Sequence, residues 1–175
     1  YELEKGTIIV RSPAIRDNHP EMKRAFDLGL ENYEYQEMLG KFSRQFKTIG
    51  VAGCHGKTTT SSMLSHVLNN TIGANYIIGD GHGYANKENK LLVLESCEYR
   101  RHFLDYAIYY AIITNIELDH TDYYKDINDV MSAYESFANN ASKCVVAWGN
   151  DPYIRKLNKK KKIYYYGLEE DNDIV

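Results

Sequence analysis

No apolar run in this chain approaches the roughly 20 residues that a bilayer-spanning helix needs, and no basic segment followed by an apolar one opens it, so neither a membrane helix nor a secretory signal is expected. Cysteine is scarce. Cys54, Cys97 and Cys144 are odd in number and lie at no metal-like spacing, so they read as free thiols in a reducing cytosol, and the expected location is cytoplasmic. Strong charge is also missing: a net charge of −3 gives no electrostatic support to a nucleic-acid partner. The one basic run, Lys159 to Lys162, reads as a solvated turn. No internal repeat occurs. The chain opens at Tyr1-Glu2 without Met and stops at Val175 with no closing helix or strand, which leads us to expect a piece of a longer protein.

What is present fits a soluble globular chain, with 43% hydrophobic and 26% charged residues. Gly6 to Val10 reads as a strand, and Asn18 as the cap of a helix running to about Gly29 with Pro20 in its first turn. A second helix is expected from about Tyr35 to Gln45. From residue 48 short apolar runs alternate with helices. Strands are expected over 48–52, 75–78, 91–94, 111–114, 144–147 and 163–166. The helices between them span 58–68, with Met63, Leu64, Val67 and Leu68 at helical spacing, then 127–141 and 151–157. Continuous apolar strands separated by helices predict an α/β fold, a mostly parallel sheet with helices on both faces. The 16 tyrosines carry no assigned function.

The strongest chemical signal is Gly53-Cys54-His55-Gly56-Lys57-Thr58-Thr59, directly after a strand and at the start of a helix. Glycines let backbone N–H groups turn inward around phosphate oxygens, and the helix N-terminus adds positive potential. In such a loop Lys57 reaches the β- and γ-phosphates and the Thr58 hydroxyl ligates Mg²⁺. The general P-loop has four residues between its glycines, whereas two separate Gly53 from Gly56, so this is a shorter variant.

Three further groups are expected at the same sheet edge, because strand C-termini in an open parallel sheet face the ligand crevice. Glu95 ends the 91–94 strand and suits either a Mg²⁺ ligand or an ordinary salt bridge. Thr114-Asn115-Ile116-Glu117-Leu118-Asp119-His120-Thr121-Asp122 is too polar to follow a buried strand without a reason. Within it Asp119 or Asp122 is placed to orient the His120 ring. Gly79-Asp80-Gly81-His82-Gly83 suits close approach of backbone to a substrate and equally suits a plain flexible turn.

Together these residues resemble the Mur ligase family, in particular its alanine-adding branch, which has His before the second loop glycine as His55 stands here. Cys54 occupies a position where the family usually has Thr. Leu94 to Leu104 resembles the family's Glu-centred block, with Glu95 at the Mg²⁺ position. Thr114-Asn115-Ile116 with Asp119-His120 resembles its Thr-Asn-Ile…Asp-His block, with His120 as the metal-associated His. Asp151-Pro152 resembles the block after the next strand, and Ser12-Pro13…Asn18-His19-Pro20 the end of the family's UDP-binding domain.

The resemblance implies residues 1–46 as the end of that domain, residues 47–175 as an incomplete central ATP-binding domain, and no C-terminal amino-acid-binding domain. It also implies ATP and Mg²⁺ as cofactors, with UDP-N-acetylmuramate and L-alanine joined through an acyl phosphate in peptidoglycan precursor synthesis. Lys57, Glu95 and His120 are then catalytic, Gly53 to Thr59 bind ATP, and Asp80, Gly81 and Asn115 contact the acid substrate. Thr58 with Glu95 holds one ion, and Glu95 with His120 a second. Two other readings stay open: a related ligase of different amino-acid or folate specificity, and a nucleotide-binding piece without catalysis.

Overall fold

A computed structural model describes residues 3–158 and 160–175. Tyr1, Glu2 and Lys159, on which the readings of the chain start and of the basic run partly fall, lie outside the described residues. The N-terminal part contains β1 (Ile9–Arg11), α1 (Pro20–Asp27), β2 (Asn32–Glu34) and α2 (Tyr35–Ser43). The remainder contains β3 (Lys47–Ala52), α3 (Lys57–Asn69), β4 (Asn75–Ile77), β5 (Gly83–Tyr84), β6 (Leu91–Glu95), a 3₁₀ segment (Tyr99–Asp105), β7 (Ile108–Ile113), α4 (Ile127–Asn140), β8 (Cys144–Trp148), α5 (Pro152–Lys156) and β9 (Ile163–Tyr166). Among the described residues no helix is long and apolar enough to cross a membrane.

Strands β1 and β2 pair in parallel as a small separate sheet, and the other strands form a seven-stranded sheet in the order β5-β4-β6-β3-β7-β8-β9. All its pairings are parallel except that of β4 with β5. Period-two alternation sends successive side chains to opposite faces. Ala52, Leu94, Ile113 and Val145 join a core with Phe103, Tyr134 and Phe137, in which the Phe103 and Phe137 rings stack at 4.7 Å. Ile49, Val51 and Val93 face the other way, against Leu64 and Leu68 of α3. The sheet is therefore the expected one, parallel for the most part and covered by helices on both faces.

Several expectations need correction. The first strand begins at Ile9 rather than Gly6, and its partner β2 was not anticipated. His19, not Asn18, caps α1: its Nδ1 accepts from the Glu21 N–H at 3.3 Å, because Pro20 occupies the first helical turn and leaves His19 as the extended residue before it. Helix α1 also ends at Asp27, short of Gly29. Helix α2 stops at Ser43 and starts from a capping box between Glu34 and Glu37. On α3, Met63 and Val67 are 65% and 57% exposed, whereas Ser61 and Ser65 are buried. The small serines let the helix lie close to the sheet, and Leu64 and Leu68 carry the apolar contact. The glycine-rich stretch 79–83 is the turn of the β4–β5 hairpin, with the Gly81 N–H bonded to the Ile78 carbonyl at 3.1 Å.

Strand order reverses about β3: the chain runs from β3 to β4 and β6 on one side, then crosses to β7 on the other. A topological switch point opens a crevice at the strand C-termini. The ends of β3, β6 and β7 there deliver Gly53, Glu95 and Thr114.

Candidate active site

The loop after β3 depends on two left-handed glycines, with φ 149° at Gly53 and 79° at Gly56. A Cβ on Gly53 would also collide with the Thr114 hydroxyl, so the close approach of the β7 end needs glycine there. That end grips the loop. The Thr114 hydroxyl donates to the His55 carbonyl at 2.7 Å. Asn115 accepts from the His55 N–H and donates to the His55 carbonyl, both at 2.9 Å. Both ends of its amide thus bond loop backbone. Cys54 is buried, with its sulfur 3.2 Å from the Glu117 N–H, and burial pushes its thiol up. His55 is exposed and lies 3.5 Å from the Glu117 carboxylate, and Thr59 also lines the concave mouth of the loop.

Two carboxylates stand beside this loop. Glu95, at the end of β6, accepts from the Thr58 hydroxyl at 3.1 Å and from the Gly79 N–H at 2.8 Å. A Cβ on Gly79 would lie 2.7 Å from Glu95 Oε1, so the bare backbone is what admits the carboxylate. The neighbouring Asp80 and Gly81 are exposed, and Asp80 pairs with His82 at 2.9 Å, a contact that holds its carboxyl below the usual range.

Glu98, which the sequence reading did not single out, is only 1% exposed. Its two oxygens lie 3.1 and 3.2 Å from Lys57 Nζ, which also donates to the Gly53 carbonyl at 2.5 Å. A buried carboxylate needs such a partner. His120 Nε2 stands 3.7 Å from Glu98, and the ligand atoms of Glu98, Asp119 and His120 lie within 4.8 Å of one another. The backbone of His120 is left-handed, φ 51°, with Asp119 accepting from its N–H at 2.7 Å. Asp122 reaches the Tyr99 hydroxyl at 2.7 Å, and the Tyr99 ring lies 4.8 Å from that of His120. Asp119 therefore fixes the backbone, and the ring is braced by Tyr99 and Glu98.

The structure thus brings Thr58 to Glu95 as expected, and groups His120 with Glu98 and Asp119. Glu95 and His120 form no ion pair with each other among the described residues. Two oxygens 3.1 Å apart suit neighbouring positions around a hard octahedral cation, so Thr58 and Glu95 fit Mg²⁺. The Glu98–Asp119–His120 group offers a second, mixed oxygen and nitrogen donor set. Beside Glu95, a cavity of about 250 Å³ opens between the N-terminal part, at Pro13, Tyr35 and Gln36, and the sheet edge at Gly79. The signal that could have found Glu98 is its spacing: a second acid just past the strand end, in a stretch with no other reason to bury a charge.

The Mur ligase middle domain model matches residues 51–175. Over 171 residues the chain is 47% identical to the UDP-N-acetylmuramate–L-alanine ligase of Lacticaseibacillus paracasei and 45% identical to that of Lactiplantibacillus plantarum, covering 98% of this chain in each case. It spans 39% of the length of those relatives. The crystal structure of the UDP-N-acetylmuramate–alanine ligase of Thermotoga maritima superposes with a TM-score of 0.75 at 28% identity, over 93% of this chain and 39% of that one. The MurF ligase of Thermotoga maritima, solved in complex with ADP, gives a TM-score of 0.71 at 17% identity over 96% and 49% of the two chains, a likeness of fold alone. Its middle-domain match and its close relatives place the chain in one family: it belongs to the Mur ligases.

Proposed function

We propose that this chain supplies the phosphate-handling part of a ligase that uses ATP to join L-alanine to UDP-N-acetylmuramate in peptidoglycan precursor synthesis, in the cytoplasm. The observation that carries the reading is the convergence of Lys57, Thr58, Glu95 and Glu98 at the ends of β3 and β6. The choice of alanine rests on the names of the relatives that share 45–47% of its residues. Under this reading residues 1–46 end a UDP-binding domain and residues 47–175 belong to the ATP-binding domain.

The reaction joins two anions, so it needs positioned positive charge more than a covalent protein group. Backbone N–H groups of the 53–59 loop cradle the phosphates, and Thr114 and Asn115 hold that cradle in shape. Lys57 is held at the loop by Glu98 and the Gly53 carbonyl. Glu98 fixes the position of the ammonium, and His120 stands on the other side of the same carboxylate. Thr58 and Glu95 would hold a Mg²⁺ ion, and Glu98, Asp119 and His120 offer donors for a second; such ions would neutralise phosphate charge. The acid substrate is then placed with its carboxylate in the cavity beside Glu95, where a carboxylate oxygen takes the γ-phosphoryl group of ATP and ADP is released. The amine of alanine attacks the resulting acyl carbon, loses a proton, and inorganic phosphate leaves as the amide forms.

The test is phosphate release by the full-length ligase, measured with UDP-N-acetylmuramate, ATP and a panel of amino acids. Release that needs both UDP-N-acetylmuramate and alanine is expected. Preference for another amino acid, or release indifferent to UDP-N-acetylmuramate, overturns the assignment.

A further inference from the structure

Arg100 and Arg101 are adjacent, both non-glycine, and both left-handed, at φ 51° and 61°. A left-handed backbone is disfavoured for a residue with a Cβ, and strain of this kind gathers at functional sites. Its effect is to send the two guanidinium groups apart. Arg101 turns to α4, where it bonds Asp129 at 2.6 Å and Ser132 at 2.9 Å. That contact accounts for Arg101 and leaves the strain at Arg100 unexplained.

Arg100 has no carboxylate partner among the described residues. Its one recorded contact is the face of Tyr99, 5.4 Å from the ring centroid, and Tyr99 is itself tethered by its hydroxyl to Asp122. Arg100 lines the cavity beside Glu95, together with Gly79, Cys97, Tyr99 and His102. His102 is kept toward its neutral form by burial, and Arg100 adds to that effect. The cavity is therefore lined both by Arg100, which has no carboxylate partner among the described residues, and by Glu95, which bonds Thr58 of the phosphate loop. A forked cation of this kind matches a carboxylate in a two-point contact.

We propose that Arg100 binds the carboxylate of the acid substrate and holds it beside Glu95, the position at which it receives the phosphoryl group. This inference rests on the function proposed above. Arg100 is then a specificity-determining residue: it selects an acid from an otherwise similar neutral sugar nucleotide.

The test compares Arg100→Gly with the parent in the full-length ligase, because glycine accepts the left-handed backbone and removes only the side chain. Binding is measured by calorimetry for UDP-N-acetylmuramate and for UDP-N-acetylglucosamine, which lacks the lactyl carboxylate. The expected result is binding of UDP-N-acetylmuramate weakened about 10- to 100-fold, the scale of one charged hydrogen-bonded contact. UDP-N-acetylglucosamine binding and the ATP KM should stay unchanged, and the thermal midpoint should be unchanged or raised by relief of strain. Arg100→Lys should recover part of the loss. Equal weakening of both nucleotides would mean a diphosphate contact, and no weakening of either would mean a surface role, and each of these overturns the proposal. A parent enzyme that releases no phosphate with UDP-N-acetylmuramate and alanine would instead sink the underlying reading, which keeps the two failures distinct.

Discussion

Glu95 and Glu98 lie three positions apart past the same strand and are treated in opposite ways. Glu95 is half-buried and meets two neutral donors, the Thr58 hydroxyl and the Gly79 N–H, so its charge is left for a cation. Glu98 is sealed in and meets Lys57 and His120, so its charge is already balanced within the protein. The difference separates two tasks that one sheet edge must perform. Under the proposed function one carboxylate is kept for an ion, and the other holds the lysine that a phosphate would draw away.

The most severe break should come from Lys57→Ala. It removes the cation proposed to bind phosphate and leaves Glu98 buried without its lysine partner. The full-length ligase should lose at least about 10²-fold in kcat, and urea unfolding should show a loss of about 3–5 kcal/mol. Unchanged stability would mean that Glu98 does not depend on the lysine. Next come the two glutamines. Glu95→Gln and Glu98→Gln should each slow turnover by about 10²-fold, yet only Glu98→Gln should also lower stability, by about 1–3 kcal/mol. Equal unfolding midpoints for the two would erase the contrast.

A smaller effect is expected at Gly79, where an added Cβ meets Glu95 at 2.7 Å. Gly79→Ala should displace that carboxylate and leave Glu98 alone, at a stability cost of about 1–3 kcal/mol, with a raised Mg²⁺ requirement in a metal titration of the rate. The mildest is Asn115→Ala, which frees His55 from two hydrogen bonds. The ATP KM should rise about 10-fold, one bond's worth, with kcat nearly kept.

Much of this arrangement was legible in the sequence, for reasons of length and period. The strands β3, β6, β7 and β8 are five or six residues each and mostly apolar, so they stood out, and the loop between β3 and α3 was marked by its glycines. Strands β1, β2, β4 and β5 have two or three residues, and only part of them left a pattern. Met63 and Val67 share the helical spacing of Leu64 and Leu68 yet face solvent, because the face that meets the sheet includes the buried Ser61 and Ser65. The contacts that Asn115 and Glu98 make were hidden for a different reason. Their partners, His55 and Lys57, lie 60 and 41 positions away, and no local pattern reports such a contact.

The division of labour between the two glutamates can be read directly from Mn²⁺ binding to the full-length ligase with an ATP analogue, followed by electron paramagnetic resonance. The account predicts that Glu95→Gln abolishes the tight ion shared with the nucleotide, while Glu98→Gln retains that ion and weakens the nucleotide through Lys57. Loss of the tight ion in Glu98→Gln with its retention in Glu95→Gln would contradict it.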